Sequence, residues 1–204
     1  MLEEGFIIIM GSMHEYYIKG KDFKFQKIII LAVSLCGAYI ISWLLGIIST
    51  RFGWNLWWVE IPSILGVYKL IEELIDKFCW SKFYGIPSFD GIWKGYFKTS
   101  YDDFTREYPV KCIIKQDSKM ICIVFEMEKS TSYSIAASMD VSKINGTTLK
   151  YDYINVPKVE QNEVLNVHLG SNTFKLNENK LEGEYYNNQR GTSGKIFLER
   201  MEEN

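Results

Sequence analysis

The chain has 204 residues, with 23 Lys and Arg against 25 Asp and Glu and a formal net charge of −2. That balance excludes the broad basic footprint of a DNA- or RNA-binding domain, and the length leaves room for one ordinary domain plus a membrane element. Four cysteines without CxxC spacing exclude a disulfide scaffold and read as buried thiols, and with two histidines, His14 and His168, neither a zinc site nor any other cofactor is expected.

Residues 1–27 read as a cytoplasmic N-terminal segment. Its apolar run Phe6–Met10 is too short for a signal peptide, and Met13 is a second candidate start. From Ile28 to Thr50 run 23 residues without Asp, Glu, Lys, Arg or His, whose only ionisable side chains, the Cys36 thiol and the Tyr39 phenol, are neutral at pH 7. As a helix they would reach about 34 Å at ~1.5 Å per residue, enough to cross a bilayer. Lys27 and Arg51 bracket this span, with Trp43, Trp54, Trp57 and Trp58 towards one interface.

Residues 28–84 are expected to form a transmembrane hairpin and its connector. The return crossing, Phe52–Tyr68, is near the lower length limit and holds Glu60 and Pro62. Ile64, Tyr68, Ile71, Ile75 and Phe78 then continue one helical stripe, with Lys69, Glu72, Glu73, Asp76 and Lys77 off it, so an amphipathic helix on the membrane surface is expected. Lys19, Lys21, Lys24 and Lys27 before the hairpin and Lys69, Lys77 and Lys82 after it place both ends in the cytoplasm. Glu60 has two readings: a carboxylate at the outer interface, or a membrane assembly surface facing other copies.

Residues 85–204 change period from helical to alternating. Gly91–Lys98, Tyr108–Gln116, Lys119–Glu128, Thr131–Asp140, Thr147–Asn155, Glu163–Asn177, Lys180–Asn188 and Gly194–Glu202 read as strands, with a bulge at Gly170-Ser171 in the sixth. Eight antiparallel strands predict a closed, minimal up-and-down barrel. Hairpin connections then divide the linkers between two ends. Tight turns and the entry from the membrane share a closed floor, where Trp93 and Arg200 would stack; that Gly-x-Trp opening and late Arg resemble the lipocalin pattern.

The longer linkers meet at the opposite end, the expected mouth. They carry Arg106, Lys129, Lys158 and Arg190, joined by Ser130, Thr131, Asn187, Thr192 and Ser193. Arginine forks and hydroxyls suit phosphodiester oxygens. Tyr108, Tyr151, Tyr153, Tyr185 and Tyr186 offer flat faces for bases at ~1–3 kcal/mol per stacked base. His168, out of phase with Leu165, Val167 and Leu169, is expected to meet solvent.

A basic N-terminus, two crossings, an amphipathic connector and a minimal barrel closing with LEGEYYNNQRGTSGKIFLERM, Leu181 to Met201, resemble the two-transmembrane, β-strand-rich effectors of bacterial cyclic-oligonucleotide antiphage signalling (CBASS). The resemblance implies a multi-pass protein of the bacterial inner membrane. It would bind a cyclic dinucleotide from a partner synthase, form a homo-oligomer and disrupt the lipid bilayer, causing abortive infection. The competing reading is a membrane-tethered, lipocalin-like carrier of an apolar molecule or lipid. An enzyme is not expected: no Ser-His-Asp set, P-loop or dinucleotide fingerprint is present.

Overall fold

The computed structural model describes residues 12–53, 64–142, 146–158 and 166–201. The chain divides into a β unit, residues 1–21 with 87–204, and a helical unit, residues 22–86.

In the helical unit, α1 (Lys24–Phe52) is long and apolar enough to cross a membrane, by length and composition. Gly53 ends it in the left-handed conformation that glycine adopts without strain. Its hydroxyls stay inside the helix: Ser34 Oγ donates to Ile30 O at 2.6 Å and Ser42 Oγ to Ala38 O at 2.8 Å. Each hydroxyl is thereby paired within its own helix. Only Ile30, Ser34 and Ala38 are buried, one stripe at i, i+4, i+8, while Leu31, Val33, Leu35 and Ile40 are exposed. The amphipathic helix is present as α2 (Ile64–Phe78), followed by α3 (Trp80–Tyr84). Val67 packs at Gly37 and Tyr84 sets its ring edge-on to Phe23, centroids 5.4 Å apart, so the chain returns alongside α1. Most of the predicted second crossing, including Glu60 and Trp54, Trp57 and Trp58, lies outside the described residues.

Among the described residues the β unit is one nine-stranded sheet that closes on itself. Its strands are β1 (His14–Lys19), β2 (Gly91–Thr99), β3 (Tyr108–Gln116), β4 (Met120–Glu126), β5 (Ser130–Ser142), β6 (Gly146–Pro157), β7 (His168–Asn177), β8 (Lys180–Asn187) and β9 (Thr192–Arg200). From β2 to β9 each strand pairs antiparallel with the next, and β9 returns to β2 with Trp93 opposite Arg200.

Two expectations are corrected here. The N-terminal segment, expected to stand apart from the barrel, supplies one of its strands: β1 lies between β4 and β5, antiparallel to the first and parallel to the second. Tyr16 and Ile18 alternate inward as a core strand requires, but two apolar positions in six residues are too faint a pattern to read alone. Nor is there a bulge at Gly170-Ser171: both pair in register with Tyr153 and Asp152. The irregularity lies in β5, between Ser134 and Ala136.

Alternate residues face inward and make a floor-side core of Trp93, Cys112, Ile114, Ile121, Ile123, Phe125, Met139, Leu149, Phe174, Leu181 and Leu198, all buried. Burial pushes the Cys112 thiol well above its ordinary pKa. Cys122 is also buried, whereas Cys36 and Cys79 are exposed.

Candidate functional site

The floor is assembled by hydrogen bonds around Trp93, which is 0% exposed. Its indole Nε1 donates to Phe89 O at 2.9 Å, and the Arg200 guanidinium lies 4.2 Å from the ring centroid. Arg200 Nη2 donates to Ser88 O at 3.0 Å and Nη1 to Asp90 O, so the cation is held by carbonyls as well as by the ring. Gln116 extends the network: its Oε1 accepts from Phe89 N at 2.7 Å, and its Nε2 donates to Tyr16 OH at 3.0 Å. Tyr16 OH donates onward to Asp117 O at 2.9 Å, and burial pushes this phenol up to about 12. The barrel is sealed at this end.

Above the floor the inward positions change character. Thr99, Ser130, Ser132, Ser134, Asn155, His168, Asn172 and Asn187 are all buried, and every one lies on the inward phase of its strand towards the other end. Ser132 Oγ donates to Asn155 Oδ1 at 3.0 Å. Asn172 Nδ2 donates to Tyr151 OH at 2.9 Å, while Asn172 Oδ1, in a residue only 4% exposed, has no hydrogen-bond partner among the described residues. A buried acceptor left unpaired costs ~1–3 kcal/mol, and a ligand donor is one way to recover it.

Rings stand among these groups because glycines opposite them leave space. Tyr153 faces Gly170, Phe174 faces Gly183 and Tyr185 faces Gly194, each a direct cross-strand pair. A side chain at any of the three would collide with the ring opposite. Phe97 stacks on Tyr108 at 5.2 Å and meets Tyr185 edge-on at 6.0 Å, which makes an aromatic wall beside Thr99. Tyr108 OH donates to Asp102 Oδ2 at 3.0 Å, and that bond raises its pKa. Burial pushes Tyr153 up to about 12 and raises Tyr185, so these rings stay neutral.

The predicted ligand residues therefore divide. Tyr108 and Tyr185 come together through Phe97, and Thr192 shares the inward phase at the same end. Asn187 is inward and buried, but its Oδ1 accepts from Gln189 N at 3.1 Å and Arg190 N at 3.2 Å, shaping the β8–β9 turn. Tyr151 lies deeper, against Phe174 with centroids 5.7 Å apart. Arg106 and Arg190 are exposed on the linkers that converge at the rim, where Lys158 N also donates to Lys129 O at 3.0 Å.

Thr131 is a correction. It is paired with Val156 on the outward phase, because Ser130 and Ser132 take the inward one. His168 is the opposite correction. It is 8% exposed and inward, while Val167 and Leu169 are 51% and 47% exposed. Phe174 sets the inward phase of β7, and the apolar residues at odd positions line the outside, Leu169 opposite Ile154. His168 Nδ1 lies 3.0 Å from Asn166 O; burial lowers its pKa despite that bond, and Arg190 nearby lowers it further.

Sequence reading missed Thr99, Ser132, Ser134, Asn155, His168 and Asn172. The serines at 130, 132 and 134 and the asparagines in phase with Leu149 and Phe174 were the available signal, since a polar residue on the core phase of a strand needs a buried partner.

Residues 84–200 match the family model described as Cap15, cyclic dinucleotide receptor domain. The chain is 30% identical over 153 residues to CD-NTase-associated protein 15 of Yersinia aleksiciae, covering 70% of this chain and 72% of that protein. It is 26% identical over 167 residues to CD-NTase-associated protein 15 of Staphylococcus schleiferi, covering 79% of this chain and 91% of that protein. With an inward polar and aromatic half-barrel standing on a sealed Trp-Arg floor, and with the matched region spanning β2 to β9, this chain belongs to the Cap15 family.

Proposed function

We propose that this chain is a CBASS effector that receives a cyclic dinucleotide in the polar half of its barrel, assembles with other copies and disrupts the membrane. The match to a cyclic dinucleotide receptor domain supports the ligand, and the likeness to CD-NTase-associated proteins supports the functional link to a synthase.

The observation that carries the reading is the buried polar lining. Two bases need flat faces and edge partners, and two phosphates need cations. Tyr108, Tyr153 and Tyr185 supply faces; Ser132, Asn155, His168 and Asn172 supply hydrogen-bonding edges. Arg106 and Arg190 at the rim suit the phosphates. An apolar carrier would line this half with aliphatics, so the buried amides and hydroxyls favour the nucleotide over lipid.

In this reading the protein is a receptor without chemistry on its ligand. Assembly brings copies of α1 together in the membrane, with Phe52–Tyr68 as the return crossing. Both chain ends are cytoplasmic, in the bacterial inner membrane.

The test is thermal unfolding of the purified full chain in detergent against cyclic di-AMP, cyclic di-GMP, mixed and pyrimidine-containing cyclic dinucleotides, with linear dinucleotides and fatty acids as controls. Ligand at a hundred times its Kd stabilises the folded state by about 2.7 kcal/mol, so one cyclic dinucleotide is expected to raise Tm by several degrees. A rise with fatty acids alone would move the assignment to a tethered carrier.

A further inference from the structure

β1 is the strand the barrel does not need. β2 to β9 already form a closed antiparallel circuit, and the turn between β4 and β5 sets the register Glu126–Thr131, Phe125–Ser132, Val124–Tyr133. One step further, Ile123 would face Ser134 backbone to backbone. Instead Ile123 N donates to Ser134 Oγ at 2.9 Å, and His14 Nε2 lies 2.8 Å from the same oxygen. Below that point β1 separates the two strands, paired over two positions with β4 and four with β5.

Ser134 is thus the fork. It is also the third residue of the inward row Ser130, Ser132, Ser134, the row that carries the Ser132–Asn155 contact of the candidate ligand site. At its other end β1 leads, after the four residues 20–23, into α1.

We propose that β1 is a latch governed by the ligand. A cyclic dinucleotide in the polar half-barrel draws the serine row of β5 inward, takes Ser134 from His14, and lets β4 and β5 pair on through the fork. β1 is then released. The inference rests on the receptor reading above and adds how occupancy would be passed to the apolar helix. Both arrangements close the barrel, one with eight strands and one with nine, so they are alternatives of a single sequence between which differential ligand affinity decides. Tyr16 sets the resting state, because its hydroxyl ties β1 to Gln116 and Asp117 at the floor.

Two measurements on the full chain test it. Hydrogen exchange at residues 14–19 is followed with and without the cyclic dinucleotide that raises Tm. Release predicts exchange at least tenfold faster with ligand, while β7 to β9 slow; unchanged or slowed exchange in β1 at saturation would overturn the latch. The second is a lock: Tyr17→Cys with Ser138→Cys, outward-facing partners on adjacent strands, in a Cys36→Ser/Cys79→Ser background. The oxidised lock is expected to bind the ligand about tenfold more weakly than the same protein reduced, since coupling is reciprocal. Equal affinities would overturn the proposal. A reduced protein that binds no cyclic dinucleotide refutes the receptor reading and the latch together, whereas one that binds without moving β1 refutes the latch alone.

Discussion

His14 and Ser134, 120 positions apart in sequence, meet at 2.8 Å where β4 and β5 part. This contact places the N-terminal strand inside the domain that carries the candidate ligand site. A barrel fragment beginning at residue 85 therefore lacks one of its own strands.

The anchor of that strand is the Tyr16 hydroxyl. Tyr16→Phe leaves Gln116 Nε2 with its long contact to Pro87 O and removes the donor to Asp117 O. A loss of ~1–3 kcal/mol is expected. Tyr17→Phe, on a side chain 68% exposed, is expected to change nothing measurable. Chemical denaturation of the two full-length variants checks the contrast.

Glycine positions in β9 and its turn separate packing from backbone strain. At Gly194 a Cβ would enter the Tyr185 ring and the Lys98 carbonyl, so Gly194→Ala is expected to cost at least ~1–3 kcal/mol and to weaken ligand binding by displacing the ring. Gly191 has φ +60 with nothing near its side, so Gly191→Ala should cost only the left-handed strain, ~1–2 kcal/mol. Calorimetric titration beside thermal melts distinguishes the two effects.

Arg106 and Arg190 are exposed at the rim, so either Ala variant should melt within about 0.5 kcal/mol of the parent. A charge-assisted bond to a phosphate is worth ~1.5–3 kcal/mol, which predicts about tenfold to hundredfold weaker binding of the cyclic dinucleotide. Unchanged affinity in both variants would remove the rim from the site.

His168 gives a pH signature with a definite sign. Burial holds its pKa below 6.5, so the unfolded chain takes up the proton more readily than the folded one. This group makes no difference above neutral pH, and it subtracts stability as pH falls through 6.5 towards the folded value. The parent should therefore lose more stability than His168→Gln between about pH 7 and pH 5, as thermal melts across that window would show.

The α1 helix can be separated from the receptor. Val33→Lys with Ile40→Lys puts two charges on exposed positions of the apolar segment, at ~2.5–3.5 kcal/mol each near a bilayer centre. The variant is expected to leave the membrane fraction and to lose cell killing while keeping its ligand affinity. Killing that persists from the soluble fraction would take the membrane out of the mechanism.

Much of the architecture was legible without coordinates. Twenty-three residues without charge from Ile28, the stripe Ile64–Phe78, and alternating runs between Gly, Asn and Asp each carry their own period, and local period suffices to name a helix or strand. Trp93 and Arg200 could be paired in advance because strand parity in a closed meander puts the first and last strands side by side. What parity cannot supply is which phase of a strand faces in when both phases hold apolar residues. Leu169 and Phe174 compete for the core in β7, and only pairing with β6 and β8 decides for Phe174, turning His168 and Asn172 inward with it. Likewise Thr131 yields the interior to Ser130 and Ser132, and His14–Lys19 becomes a strand only because β4 and β5 open to receive it. Local period is written in neighbouring residues, whereas the phase of a wall depends on the strands paired on either side of it, and the seat of β1 on residues more than a hundred positions away.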